Sequence, residues 1–182
     1  MRMILKETVR ELPLDWVNLN SYRDSTAYRK EIYLIEQNNV INDLIYLFYS
    51  LFGNLKNSLS IYNKSWWDFC LDTWDFNKDT YNYDLEGKST ETQEYLKLLK
   101  ESQIEINYSG CCICENWDRF LQVVLGCIIN HRAPYSPIFF DMENKFFFYF
   151  HHTGSIGFYY KEENTVVQQI LLKANKYYKV EN

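Results

Sequence analysis

The stretch Ser136–Lys161 reads SPIFFDMENKFFFYFHHTGSIGFYYK and decides the fold. It contains three runs rich in aromatic residues, which favour strands because their rings cover a pleated, half-buried surface. Asp141-Met142-Glu143-Asn144 separates the first two runs, and Thr153-Gly154 separates the last two. Loops this short join neighbouring antiparallel strands. The stretch therefore predicts a three-stranded meander, with strands at Ile138–Phe140, Lys145–His152 and Ser155–Lys161.

Segments of helical periodicity surround this meander. The clearest is Val40–Phe52, where Asn39 is a suitable N-cap and Gly53 a suitable end. The expected helices are Tyr28–Glu36, Val40–Phe52, Lys64–Trp74, Ser89–Glu101, Asn116–His131 and Glu162–Tyr178. Ile104–Tyr108 is a candidate strand, and Met3–Leu12 is either a strand or an irregular lead-in.

Helices packed on a small antiparallel meander define the α+β class. The chain has 182 residues with only 6 glycines and 3 prolines, so it carries no long flexible linker. A chain of this length and composition is expected to form one globular domain, residues 1–182.

The net charge of −5 disfavours a nucleic-acid binder, which needs a basic surface to displace counterions from phosphates. An acidic protein suits a basic partner better. The sequence contains neither a signal-peptide pattern nor an apolar run long enough to span a membrane, and its five cysteines are an odd number. We therefore expect a cytoplasmic protein with reduced thiols and no membrane partner.

Cys111 and Cys114 form an isolated C-x-x-C. A zinc site needs two further ligands, and no second paired spacing supplies them. Cysteine is also among the most frequently buried residues. The expected reading is therefore buried thiols, with no metal and no cofactor.

The three histidines, His131, His151 and His152, raise the alternative of a small histidine-dependent hydrolase or nuclease. Two imidazoles can serve as acid and base in phosphoryl chemistry. Adjacent residues of a regular strand point to opposite faces, however, so His151 and His152 are predicted not to share a site. No other catalytic motif stands out, and the protein is expected not to be an enzyme.

The segment 66–95 is strongly acidic, with eight carboxylates against two lysines. Asp68, Asp72 and Asp75 are spaced by four and then three residues, which would place them on one helix face. The segment is a solvated face or a binding surface for a basic partner. A metal site built from its carboxylates is a third, less favoured alternative, because the aspartate spacing does not match a calcium loop. The residues predicted to bind that partner are Asp68, Asp72, Asp75, Asp79, Asp84 and Glu86 as charges, and Trp67 and Trp74 as anchors.

The C-terminal third, residues 115–180, carries a family resemblance. Its marks are Trp117-Asp118 at a helix start, Ala133–Pro137 before the meander, His151–Gly157 between its last strands, and Tyr177-Tyr178 in the closing helix. In these features it resembles the small immunity proteins of bacterial polymorphic-toxin systems, including those of contact-dependent growth inhibition. The resemblance implies a cytosolic protein without enzymatic activity that binds one cognate toxin domain and blocks it. Many such toxins are nucleases with basic clefts.

Three hypotheses follow from the sequence. The favoured one is an immunity protein that neutralises a basic toxin domain, with a nuclease as the expected class. The second is the histidine-dependent hydrolase or nuclease. The third is an oligomerising module built on the apolar helix Val40–Phe52. The sequence does not fix the oligomeric state.

Overall fold

Four α-helices and ten strands form within residues 2–182, which the computed structural model of the protein describes. The helices are α1 (Val40–Phe52), α2 (Thr90–Glu101), α3 (Trp117–Ile129) and α4 (Thr165–Tyr177). The strands are β1 (Ile4–Lys6), β2 (Tyr28–Tyr33), β3 (Ser60–Asn63), β4 (Trp74–Asp75), β5 (Thr80–Tyr81), β6 (Gly110–Cys114), β7 (Ile138–Asp141), β8 (Phe146–His151), β9 (Ser155–Tyr160) and β10 (Lys179–Glu181). Helices on a mainly antiparallel sheet confirm the α+β prediction.

The predicted meander is confirmed as β7, β8 and β9. Phe148 lies opposite Phe139 on one side and opposite Phe158 on the other. The buried Asp141 carboxylate fixes the first turn, because it accepts hydrogen bonds from the backbone N–H of Asn144 (2.8 Å) and from the Ser58 hydroxyl (2.7 Å).

The meander is only the centre of a larger sheet. Eight strands pair antiparallel in the order β1-β6-β3-β7-β8-β9-β2-β10, and β4 and β5 form a separate two-stranded ladder. This sheet corrects two predictions and adds one strand that was not predicted. Tyr28–Glu36 is not a helix, because β2 pairs along its full length with β9. The strand expected at Ile104–Tyr108 forms instead at β6, and β10 follows α4 where no strand was expected.

Both faces of the sheet are covered at its central strands, β7 to β9, which explains the consecutive aromatic residues of β8. Phe146, Phe148 and Phe150 belong to the main core on the helix side, where Phe148 stacks on Phe52 of α1 with ring centroids 4.0 Å apart. Phe147 points to the other side, where Trp16 of the irregular N-terminal segment covers it at 5.7 Å. A strand that is buried on both faces shows no alternation of apolar and polar residues. The inference that the aromatic residues cover a half-buried surface is therefore wrong for β8.

Asparagine side chains cap the N-termini of α1 and α3, at Asn39 as the sequence predicts and also at Asn116. Asn39 accepts the backbone N–H of Asn42 (3.2 Å) before α1, and Asn116 accepts that of Arg119 (3.1 Å) before α3. These bonds satisfy donors that have no partner inside the helix. No helix within residues 2–182 is long and apolar enough to cross a lipid bilayer.

Gly157 in β9 allows Tyr149 of β8 to lie directly over it. A Cβ at position 157 would be 2.5 Å from Tyr149 Cζ, so the ring would have to move. We expect Gly157→Ala to lower the free energy of unfolding by about 1–3 kcal/mol, the usual cost of overpacking. Urea unfolding followed by circular dichroism measures the change.

Gly126 of α3 is the matched control. It is also buried, but an added Cβ would meet only Glu91 Cγ, at 3.9 Å. Because alanine is the better helix former, Gly126→Ala should stabilise the protein by up to about 1 kcal/mol. Equal effects of the two substitutions would contradict the packing assigned to Gly157.

Candidate functional site

The segment that contains the predicted partner-binding residues is not helical before position 90. The helix expected at Lys64–Trp74 is replaced by turns and a short 3₁₀ turn at Leu71–Thr73. Two tertiary hydrogen bonds override the helical pattern: Trp66 Nε1 donates to the Gly110 carbonyl (3.0 Å), and Trp67 Nε1 donates to that of Ile104 (3.1 Å). The prediction that Asp68, Asp72 and Asp75 share one helix face is therefore wrong.

Two of the predicted charges hold the fold together. Asp68 accepts hydrogen bonds from the hydroxyls of Ser65 and Tyr83. Asp72 accepts from the Thr92 hydroxyl and from the Ser89 backbone N–H (3.0 Å), which fixes the start of α2. Partial burial opposes ionisation of Asp72, but these bonds outweigh it and lower the pKa of the carboxyl. Both carboxylates already have partners within the fold.

The two predicted anchors differ in their exposure. Trp67 is only 4% exposed, so it belongs to the core and cannot serve as a surface anchor. Trp74 is half-buried and packs edge-on against Tyr81, with ring centroids 4.8 Å apart. The assignment of Trp67 is therefore corrected, whereas Trp74 remains partly accessible.

A two-stranded hairpin carries the accessible part of the acidic segment. We call residues 71–86, which include β4 and β5, the acidic hairpin. Its exposed carboxylates are Asp79, Asp84 and Glu86, whereas Asp75 is half-buried and lies 3.7 Å from Lys78 Nζ.

Three apolar side chains of the acidic hairpin are also exposed: Phe76 by 86%, Leu71 by 55% and Tyr81 by 44%. Sequence reasoning did not select them. The Asn77-Lys78-Asp79 turn is the sequence feature that could have indicated their exposure. Side chains near the turn of a short hairpin have few neighbouring residues to pack against.

The three histidines form a cluster, which corrects the prediction that His151 and His152 diverge. The His152 ring lies 4.5 Å from that of His151 and 5.1 Å from that of His131, centroid to centroid. The alternation rule fails here because β8 ends at His151 and His152 already belongs to the turn. His131 reaches the cluster from the end of α3 with a left-handed backbone (φ +56°).

The cluster lines a cleft of 460 Å³, which we call the histidine cleft. Tyr22, Tyr135, Tyr149 and Ser136 are also among its walls. His151 Nδ1 lies 2.8 Å from the Thr153 hydroxyl, which orients the imidazole. Partial removal from water lowers the pKa of His152, and the charges of the neighbouring His151 and His131 lower it further.

A second depression of 650 Å³, the arginine groove, adjoins the cleft because Tyr22, Tyr149 and His151 line both. Arg29 and Glu31 enter this groove from β2, where their spacing of two residues puts both on one face of the strand. Arg23 lines the groove from the N-terminal segment.

The C-x-x-C lies on β6, where strand alternation separates its two ends. Cys111 is buried on the Trp16 side of the sheet, whereas Cys114 packs against the main core. The two thiols therefore cannot converge on one ion. Burial raises the pKa of each to about 12, so neither is a ready thiolate. Among residues 2–182, no group of three or more His, Cys, Asp or Glu side chains is arranged to hold a metal ion.

No protein-family model, curated protein or solved structure matches the chain. The resemblance to immunity proteins therefore stays a prediction that comes from the residues of the C-terminal third.

Asp72 and Asp79 provide a test of which carboxylates are structural. Asp72→Asn should lower the free energy of unfolding at pH 7 by about 1–2 kcal/mol, because it weakens charge-assisted hydrogen bonds at the start of α2. The pKa of Asp72 is lower in the folded state, so this stabilisation exists above the ordinary value of about 3.9 and is lost as the pH falls through the folded-state pKa. Urea unfolding at pH 7 and at about pH 3 measures both effects.

Asp79→Asn is the matched control. Asp79 is exposed with a left-handed backbone (φ +51°), a conformation that asparagine also tolerates. Asp79→Asn should change the free energy of unfolding by no more than about 0.5 kcal/mol. If Asp72→Asn left the free energy of unfolding unchanged, Asp72 would not stabilise the start of α2.

The histidine cluster generates a prediction about proton binding. His151→Ala should raise the pKa of His152 more than His131→Ala does, because His151 is the larger of the two lowering influences. A pH titration of the imidazole NMR signals measures both shifts. Lys173→Ala on α4, outside both depressions, should leave the His152 pKa unchanged. A His152 pKa at or above about 6.5 in the unsubstituted protein would contradict the clustering.

Proposed function

We propose that this protein is an immunity protein that binds a basic toxin domain, with a nuclease as the expected class, and neutralises it without enzymatic activity. The observation that carries the proposal is the acidic hairpin, which presents exposed apolar side chains and free carboxylates together. The family resemblance of residues 115–180 is an independent support.

Phe76 is the main source of binding energy in this proposal. Burying a phenylalanine side chain is worth about 1.5–3 kcal/mol, and its 86% exposure means that nearly all of this gain is available to a partner. Leu71 and Tyr81 extend the apolar surface on the same hairpin. Aromatic anchors surrounded by polar residues are typical of binding hot spots.

Asp79, Asp84 and Glu86 supply the charge complementarity. None of them takes part in an ion pair within the described chain, 2–182, so their charges can act on a partner. Carboxylates of this kind steer a cationic cleft towards the hairpin and accelerate association. A toxin that binds the phosphates of nucleic acid has such a cleft, and the hairpin would occupy it.

The hairpin lies outside the segment that resembles immunity proteins. It connects β3 to α2, whereas the resemblance begins at residue 115. In the proposal the C-terminal third is the scaffold and the hairpin determines which toxin is recognised. The cytosol is the proposed compartment, where the five free cysteines would remain reduced.

The test uses the toxin domain that this proposal predicts to be encoded beside this protein, expressed with it in the same cells. The unsubstituted protein should restore growth, and Phe76→Ser/Tyr81→Ser should lose protection and weaken binding at least about 100-fold, since about 3 kcal/mol of apolar burial is removed. Asp79→Lys/Asp84→Lys should slow association about 10-fold at low salt and less at high salt. Growth assays and surface plasmon resonance read out the two effects.

Glu101→Lys/Glu143→Lys is the matched charge control. Both residues are exposed and distant in sequence from the hairpin, and the double substitution changes the net charge by the same amount. This variant should protect and associate almost as the unsubstituted protein does. Full protection by the Phe76/Tyr81 variant, or equal slowing by both charge variants, would disprove the assignment of the hairpin. Failure of the unsubstituted protein to bind or protect would disprove the immunity function.

A further inference from the structure

The histidine cleft and the arginine groove contain chemistry that the proposed function does not use. Three imidazoles, two guanidinium groups and several tyrosine rings line the two adjoining depressions. Only Leu71 at the base of the acidic hairpin is shared with the surface proposed to bind the toxin.

We propose that the joined depression is a binding site for a nucleoside phosphate, either free or at the end of an RNA strand. The phosphate would lie between the histidines and the arginines, and the base would lie against the tyrosine rings. This inference does not depend on the immunity function.

The arginine groove offers cationic donors that the fold leaves available. The Arg29 guanidinium lines the groove and contacts Glu31 at 3.4 Å, which is longer than an ideal hydrogen bond. Glu31 also accepts a hydrogen bond from Ser155, so its charge is partly balanced inside the fold. Arg23 is exposed and makes no ion pair in the described part of the chain. Guanidinium groups are well suited to phosphate oxygens.

The histidines place further donors beside these cations. His151 lines both depressions, so a phosphate next to it is within the same space as the arginines. The bond between His151 Nδ1 and Thr153 leaves Nε2 available for a ligand. His131 and His152, whose rings are 5.1 Å apart, can contribute an N–H each from the cleft side.

The tyrosine rings supply a stacking surface for a base. Tyr22 and Tyr149 lie 5.1 Å apart, with their planes inclined by 35°, and Tyr135 also lines the cleft. Stacking of a base on such rings contributes about 1–3 kcal/mol. The cleft volume of 460 Å³ lies within the usual range for small-molecule sites, about 300–1,000 Å³.

The charge balance argues against a bare anion as the ligand. Glu31 lines the groove and the protein carries a net charge of −5, so inorganic phosphate alone gains little there. A ligand that adds an aromatic ring gains the stacking energy as well. The site should therefore prefer a nucleotide over either of its parts.

Isothermal titration calorimetry with AMP, adenosine, inorganic phosphate and a short 5′-phosphorylated oligoribonucleotide tests the proposal. AMP should bind with a Kd on the order of 10–100 µM, at least about 10-fold more tightly than adenosine or phosphate. Tighter binding of the oligonucleotide would identify an RNA end as the ligand, and tighter binding of AMP would identify the free nucleotide. The proposal would be overturned if neither AMP nor the oligonucleotide bound, or if AMP bound no more tightly than inorganic phosphate.

Variants assign the binding to this site. Arg29→Gln and His152→Ala should each weaken AMP binding about 10-fold or more, whereas Arg119→Gln on α3 should not change it. Because Arg29 also contacts Glu31, the exposed Arg23→Gln tests the groove without disturbing the sheet, and thermal unfolding checks each fold. Unchanged AMP affinity in the Arg23 and His152 variants would overturn the assignment. Phe76→Ser/Tyr81→Ser should bind AMP normally, which separates this site from the toxin-binding surface.

Discussion

The burial of aromatic side chains on both faces of one sheet is the constraint on which the rest of the structure depends. Consecutive residues of β8 alternate between the two faces, and every one from Phe146 to Phe150 is aromatic. Neither face can be left in water without exposing several rings, each worth about 1.5–3 kcal/mol when buried. α1 and α3 therefore cover one face, and the irregular N-terminal segment, through Trp16 and Tyr22, covers the other.

The position of the histidine cleft and the arginine groove follows from this arrangement. β8 ends at His151, beyond which the chain turns and no longer alternates between the faces. On the side covered by the N-terminal segment, β2 contributes Arg29 and Glu31 beside Tyr149 and Tyr159. Polar and titratable side chains are therefore grouped where β8 ends and where the N-terminal segment stops covering the sheet.

Local patterns predicted the elements that are stabilised locally, and missed those that depend on distant partners. α1 and α3 have apolar stripes and asparagine caps that are visible in the sequence. The local pattern of β2 predicts a helix, but its strand character comes from pairing with β9, more than 120 residues later. The local pattern of Lys64–Trp74 also predicts a helix, but two indole hydrogen bonds to the distant carbonyls of Ile104 and Gly110 determine its conformation. The histidine cluster was missed because it depends on where one strand ends.

The acidic segment shows why charge counted along a sequence overstates the charge that a partner can meet. The carboxylates of Asp68 and Asp72 accept hydrogen bonds within the fold, and Asp75 is half-buried beside Lys78. Only Asp79, Asp84 and Glu86 of the six predicted carboxylates face solvent freely. Three exposed charges in water, screened over about 8 Å at physiological salt, guide an encounter more than they hold a complex. The affinity of the proposed complex must therefore come mainly from the apolar side chains of the hairpin, with Phe76 foremost.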